Sequence, residues 1–320
     1  MGEDNVTRQL LWRLLTSIPV LLGVLLVGFL MLQVIPTDPA TIIAGPSGTA
    51  AEIEDIRRQL GLDAPIMMQF WFYLLRVMQG DLGRSIINNA PVAGELMTAL
   101  GPTIELMVAS LIWAVPLGIL LGTLAAMRRG QVFDRAVTAL SVAGVSVPAF
   151  WVGLLLLQFA AFRWQLFPLQ GRGGPLWTLS GLHHVALPAL TLGLIFIGPV
   201  ARMTRTAVVE VLGADFIRTA RAKGASEFRV VTRHALRTAL IPVVTLIGLQ
   251  IGSLLGGAVI AETIFGWPGI GRLAVGSIVS SDFPMAQGCI LVLACGFIVV
   301  NFVVDALYGL LDPRIRSKVR

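Results

Sequence analysis

The sequence predicts an all-α polytopic membrane protein with six transmembrane helices. The first observation is hydropathy: 56% of the 320 residues are hydrophobic and the mean hydropathy is +0.82, against about 45–50% apolar residues in soluble domains. The second is the scarcity of charge, 13% of residues where soluble chains carry about 25%. The third is that the apolar residues gather into runs of bilayer length, at about 20 residues per span.

The chain reads as one transmembrane domain over residues 1–320. The first run, Leu14–Val34, follows Arg8 and Arg13. It is too long for a signal-peptide core and has no small-residue cleavage site directly after it, so it is expected to stay as a membrane helix. The loop 36–101 that follows is too long for a turn. Within it Thr49-Ala-Ala-Glu52 forms a capping box, with Ile53, Ile56 and Leu60 on one face and Gly61 to end the helix. Pro65 suits the first turn of a second helix that Gly80 stops. That helix carries Phe70, Trp71, Phe72 and Tyr73, which fit either a membrane-interface helix or a small cap packed on itself.

Further spans are expected at about 102–126, 136–162, 185–200, 240–261 and 285–311. Between the last two, Phe265-Gly-Trp-Pro-Gly-Ile-Gly-Arg272 is a glycine-rich turn with Pro268 placed to start a short helix. Its glycines do not match a dinucleotide fingerprint. Gly248, Gly252 and Gly256 recur every four residues in the fifth span and form a face on which another helix can pack closely. Intramembrane polar groups are few. Gln250 either lines a path for polar solute or bridges helices, as do Gln33 and Gln158. Asn301 and Asp305 share one face of the last span, and Asp305 either pairs with Arg314 or Arg316 or lies in the interface.

Six spans put both termini on one side, and the basic residues say which. Seventeen of the 24 Lys and Arg fall in the N-terminus, the loop near Arg128, the stretch Arg202–Arg237 and the tail. The other side holds seven. The positive-inside rule therefore places both termini in the cytoplasm. It also accounts for the net charge of +6 without a nucleic-acid partner.

Several chemistries are absent. Lys223 precedes Gly224 and Lys318 precedes Val319, so neither serves a phosphate-binding P-loop. His183 and His184 are adjacent, which makes a poor metal pair, and no nucleophile stands with a base and an orienting acid. Cys289 and Cys295 lie six apart on one helix, facing different directions, and read as packing residues. The chain is expected not to be an enzyme and to bind no metal or cofactor. Gradient-driven carriers place several ionisable groups in mid-membrane. These spans carry almost none, so a partner chain is expected to supply the energy from the cytoplasm.

The loop 202–239 is where such a partner would act. Asp215 is placed to cap a short helix from Phe216 to Lys223, Gly224 breaks it, and Ser226 is placed to cap a second with Glu227 in its first turn. Arg229, Arg233 and Arg237 make a basic ridge beside an apolar stripe of Phe228, Val231 and Ala235. Ordinary positive-inside charge or anionic lipid binding would explain the arginines, but not the stripe or the Gly224 break.

Thr219-Ala-Arg-Ala-Lys-Gly224-Ala-Ser226, followed by Arg233-His-Ala-Leu-Arg-Thr-Ala-Leu-Ile-Pro242, resembles the signature loop of permease subunits of binding-protein-dependent ABC importers. The likeness is to the dipeptide/oligopeptide/nickel branch. Ala220, Gly224 and Leu236 match the general pattern, while Arg218, Thr219, His234 and Arg237 depart from it in that branch's manner. Ile35-Pro-Thr-Asp-Pro39, Leu60-Gly-Leu-Asp-Ala-Pro65, Gly80-Asp-Leu-Gly-Arg84 and Glu262-Thr-Ile-Phe-Gly-Trp-Pro-Gly-Ile-Gly-Arg272 also resemble that branch, as does Asp305 through Leu311-Asp-Pro-Arg314.

The resemblance implies a type I importer permease fold in a bacterial or archaeal cytoplasmic membrane. It implies a second, similar permease, two ATPase subunits or one fused pair that bind ATP and Mg, and an extracytoplasmic substrate-binding protein. It makes the signature loop the coupling element to the ATPases. On this chain that element comprises Asp215, Phe216, Arg218, Thr219, Ala220, Arg221, Lys223, Gly224, Ala225, Ser226, Arg229 and Arg233. Di- or oligopeptides are the leading substrate class; glutathione, nickel chelates and oligosaccharides are the alternatives.

Overall fold

The computed structural model describes residues 3–34, 39–44, 48–59, 61 and 63–311. Among them the secondary structure is helical, with one isolated bridge between Arg84 and Pro91. The helices are α1 (Glu3–Val34), α2 (Pro39–Ala44), α3 (Ala50–Gln59), α4 (Ile66–Met78), α5 (Val92–Met127), α6 (Val132–Ser146) and α7 (Ala149–Leu156). There follow α8 (Leu179–Leu212), α9 (Asp215–Ala222), α10 (Glu227–Arg229), α11 (Leu236–Ile264), α12 (Ile270–Val279) and α13 (Phe283–Leu311). Two π-helical stretches extend this set: Leu157–Arg163 continues α7, and Val230–Ala235 joins α10 to α11.

The long helical stretches Val92–Met127, Leu179–Leu212, Glu227–Ile264 and Phe283–Val304 are each apolar enough to cross a bilayer. The third expected span does not run straight. α6 and the α7 stretch meet at a bend of 100°, and only taken together are they long and apolar enough for a fifth crossing. The cause is local: Val147 precedes Pro148 and adopts φ −89°, ψ 123°, because the proline ring excludes the helical region for the residue before it. α1 has 32 residues, about 48 Å at 1.5 Å per residue, but its apolar part within the described side chains, Leu15–Leu30, is shorter than these crossings, so the described residues give four or five spans rather than the expected six. α5 starts at Val92, ten residues before the expected boundary, because the polar first turns around Glu95 remain helical.

The Cα trace divides into two compact units. One comprises, among the described residues, 3–10, 102–268 and 299–311. α8 runs through its core, where Leu192, Phe196 and Val200 meet Leu106 and Ala114 of α5 and Val243, Leu254 and Ala258 of α11. Gly118 and Gly122 of α5 let that helix close onto Val200, Ala201 and Thr204 of α8. A Cβ at either glycine would collide, which is how small residues four apart bring membrane helices together.

Polar pairs fasten the same unit. Thr103 Oγ1 donates to the fully buried Glu262 carboxylate at 2.7 Å, and Trp267 Nε1 donates to the Pro102 carbonyl at 2.8 Å. Arg172 grips Glu105 through two bonds of 2.6 and 2.9 Å. Arg205 of α8 pairs with Asp134 of α6, which also accepts from the Gly130 N–H at 2.9 Å.

The second unit comprises Leu11–Gly101 and Gly269–Ile298. Val92 and Leu96 of α5, Ile270 and Ala274 of α12, and Met285 and Cys289 of α13 form its core. Gln287 Nε2 donates to the Gly28 carbonyl at 2.7 Å and ties α13 to α1. Asp282 accepts from Ser85 Oγ, from the Ile86 N–H at 3.2 Å and from the Met285 N–H at 3.4 Å, so one carboxylate caps α13 and holds the 84–91 loop. The capping box forms as expected: the Thr49 N–H donates to Glu52 at 2.8 Å and the Glu52 N–H to Thr49 Oγ1 at 3.3 Å. The Thr49 N–H lowers the Glu52 pKa below its ordinary value. Pro65 occupies the N-cap of α4, one position before the first turn, and Gly80 follows its end at φ +79°.

Candidate functional site

The 215–237 loop folds into a compact corner. α9 ends in a Schellman motif: the Ala225 N–H bonds the Ala220 carbonyl at 3.2 Å and the Gly224 N–H the Arg221 carbonyl at 2.9 Å. The motif needs a left-handed residue, and Gly224 supplies φ +80°. Across the turn Arg221 clamps Glu227 through bonds of 2.6 and 3.1 Å. Beneath it Ile217, Val230 and Ala235 are fully buried, with Val211 and Leu212 of α8 and Ala220 and Ala225 packed around them. The loop core therefore joins α9, the end of α8 and the start of α11.

Three local expectations differ from this geometry. The N-cap of α9 is Ala214 in an extended conformation; Asp215 is the first helical residue and faces solvent, 3.4 Å from Arg218. Ser226 is the N-cap of α10, but its side chain makes no cap bond; its carbonyl accepts from the Val230 N–H at 2.9 Å. The apolar stripe is divided. Val231 and Ala235 are buried together with Val230, whereas Phe228 is 76% exposed and Phe216 47%. The π-helical turn at Val230–Ala235 shifts the register by more than the regular helical period allows for.

The exposed surface of the corner thus carries two phenylalanines amid cations. Arg218, Thr219, Arg221, Lys223, Gly224, Arg229, Arg233 and Arg237 are all exposed. The corner has no catalytic constellation. Among the described residues no cluster of His, Cys, Asp and Glu suits a metal ion. His183 and His184 bond the carbonyls of Leu166 and Ser180 at 2.7 and 2.8 Å.

Two family models match the chain. Residues 118–317 match the binding-protein-dependent transport system inner membrane component, and residues 6–115 its N-terminal companion. The chain belongs to this family. It is a permease of an ABC importer and a polytopic membrane protein.

Relatives extend along almost the whole permease. Glutathione transport system permease proteins from Escherichia coli O6:H1 and Salmonella choleraesuis are each 46% identical over 306 residues, covering 96% of this chain and 98% of theirs. The counterpart from Escherichia coli K12 is 45% identical over the same length. A solved structure of the MetNI methionine ABC transporter in an inward-facing conformation has the same fold over 69% of this chain and 98% of its own, with TM-score 0.58 and 17% identity. That likeness supports the type I importer permease fold. Family membership implies ATPase and substrate-binding partners and a second permease.

The remaining expected site residues of the permease are not equivalent. Gly248 lies against Val304 of α13, where a Cβ would collide, and Gly252 is buried. Gly256 is exposed with nothing near it, so the three glycines do not share one packed face. Gln250 is half-buried in α11 and Asn301 half-buried in α13. Asp305 is helical on the same turn sequence as Asn301, but its side chain lies outside the described residues, as do Arg314 and Arg316.

Sequence reasoning passed over Glu262, Asp134 and Asp282, the three acidic residues buried among the described side chains. Their signals were present: Glu262 opens a quoted motif, and Asp282 directly precedes an apolar helix as a cap residue would.

Proposed function

We propose that this permease forms half of the path of an importer for small peptides, glutathione among them, and that the 215–237 corner is where its ATPase docks. The observation that carries the substrate class is the near full-length match to glutathione permeases at 46% identity. Di- and oligopeptides remain within the proposed range, since glutathione is itself a short peptide with two carboxylates and an ammonium. ATP and Mg would bind the ATPase subunits, and both termini would lie in the cytoplasm with the corner, in keeping with the arginine distribution.

The corner suits coupling for a mechanical reason. α10, the π-helical turn and α11 form one continuous helical stretch from Glu227 to Ile264, so a displacement at Phe228 passes along the axis of a span. The loop core of Ile217, Val230 and Ala235 makes α9 move with it. ATP-driven closure of the ATPases would then shift the population between inward- and outward-facing states. Phe216 and Phe228 provide apolar anchors and the arginines a polar rim, the composition of a protein-docking patch.

The test is uptake into proteoliposomes holding both permeases, the ATPases and the binding protein. ATP-dependent accumulation of labelled glutathione, competed by other short peptides, is expected. Uptake of a sugar or a nickel chelate with no response to peptides would overturn the substrate reading. Phe228→Asp should abolish uptake while the permease remains in the membrane, and full uptake in that variant would overturn the docking reading.

A further inference from the structure

α4 has an apolar face that no described residue of its unit covers. Gln69, Tyr73 and Arg76 form one stripe of this helix, and Met67, Trp71 and Met78 lie opposite. Those three are 80%, 55% and 70% exposed, and Met68 and Phe72 beside them are exposed as well. α4 contains no fully buried residue.

Its position is set by α1. Phe29 packs its ring against Phe70 and Tyr73, with centroids 5.4 and 6.1 Å apart. Phe29 stands inside the apolar run of α1, five residues before its end at Val34, about 7.5 Å along the axis. A helix that rests on Phe29 therefore lies alongside the apolar run Leu15–Leu30 of α1 rather than beyond it. The same part of α1 exposes Leu22, Leu26, Val27 and Leu30, so the apolar surface continues from the span onto α4.

We propose that α4 is an in-plane membrane helix, packed on α1 through Phe70 and Tyr73, with Met67, Trp71 and Met78 immersed in the acyl chains of the leaflet at the C-terminal end of α1. The occupant is lipid because the face is uncharged, continuous with the exposed apolar run of α1, and held alongside that run. Arg76, on the opposite side, meets the headgroups, and Trp71 suits the boundary between headgroups and acyl chains. Such a float would fix the height of the 36–101 segment over the membrane.

The test places nitroxide labels in the full permease, assembled with its partner subunits in lipid nanodiscs, in a background lacking Cys289 and Cys295. Labels at Met67→Cys, Trp71→Cys and Met78→Cys should collide with oxygen and be hidden from a water-soluble nickel chelate. The Arg76→Cys label should show the reverse. Nickel access at the three apolar positions would overturn the proposal. So would exclusion of both probes, which would mean that a protein covers the face. A second measurement needs no cysteine: acyl-brominated lipids should quench the wild-type tryptophan emission more than that of Trp71→Phe. Equal quenching would overturn the proposal.

Discussion

At Gly224 the backbone, rather than the space around it, restricts substitution. Nothing lies within 4 Å of an added Cβ, but φ is +80°. A β-branched side chain there faces a left-handed penalty of about 1–2 kcal/mol and would open the Schellman turn. Gly224→Val is expected to abolish uptake and leave the amount of permease in the membrane unchanged, as read by transport assay and immunoblot; unchanged uptake would sink the coupling role. Arg205 makes a contrasting case. Sequence counting treats it as one of many positive-inside arginines, yet it is committed to Asp134, a residue only 3% exposed. Arg205→Met should cost about 2–3 kcal/mol, since it strands a buried carboxylate, and should lower the thermal midpoint of the purified permease. Arg202→Met, an exposed neighbour, should leave that midpoint unchanged.

At the scale of elements, local turn chemistry was readable where it depends on contiguous residues. Thr49 and Glu52 cap α3, and Gly80 and Gly224 follow α4 and α9, because each signal acts within one helical turn. The break at Val147-Pro148 also had a local signal in the proline, but hydropathy averaged across it and gave one straight span. Asp215 was misplaced by one position because Ala214 adopts the extended cap conformation itself. The 84–91 loop depends on one distant carboxylate. Asp282→Ala should remove its bonds from Ser85, Ile86 and Met285, cost about 1–3 kcal/mol, and raise hydrogen exchange at Ser85–Ala90 more than at α8. Equal protection in wild type and variant would show that Asp282 does not hold the loop.

At the scale of the molecule, the sparse charge of the spans bears on how transport is driven. The permease reconstituted alone, without ATPases or binding protein, is expected to accumulate no labelled glutathione under any ion gradient. Accumulation under a proton gradient would show that the chain carries its own coupling. Four of the expected spans were legible because bilayer-length apolar runs are a property of contiguous sequence.

Membership in the importer family was equally legible, since it rests on short uninterrupted motifs. What only the tertiary structure decided is which side chains those motifs hide. Phe228 is exposed while Val230, Val231 and Ala235 are buried. Thr103 meets Glu262 across 159 residues, Asp134 meets Arg205 across 71 and Ser85 meets Asp282 across 197. Hydropathy and helical period act over a few residues, whereas such pairings exist only once helices lie side by side, and helix neighbours are set by packing rather than by sequence adjacency.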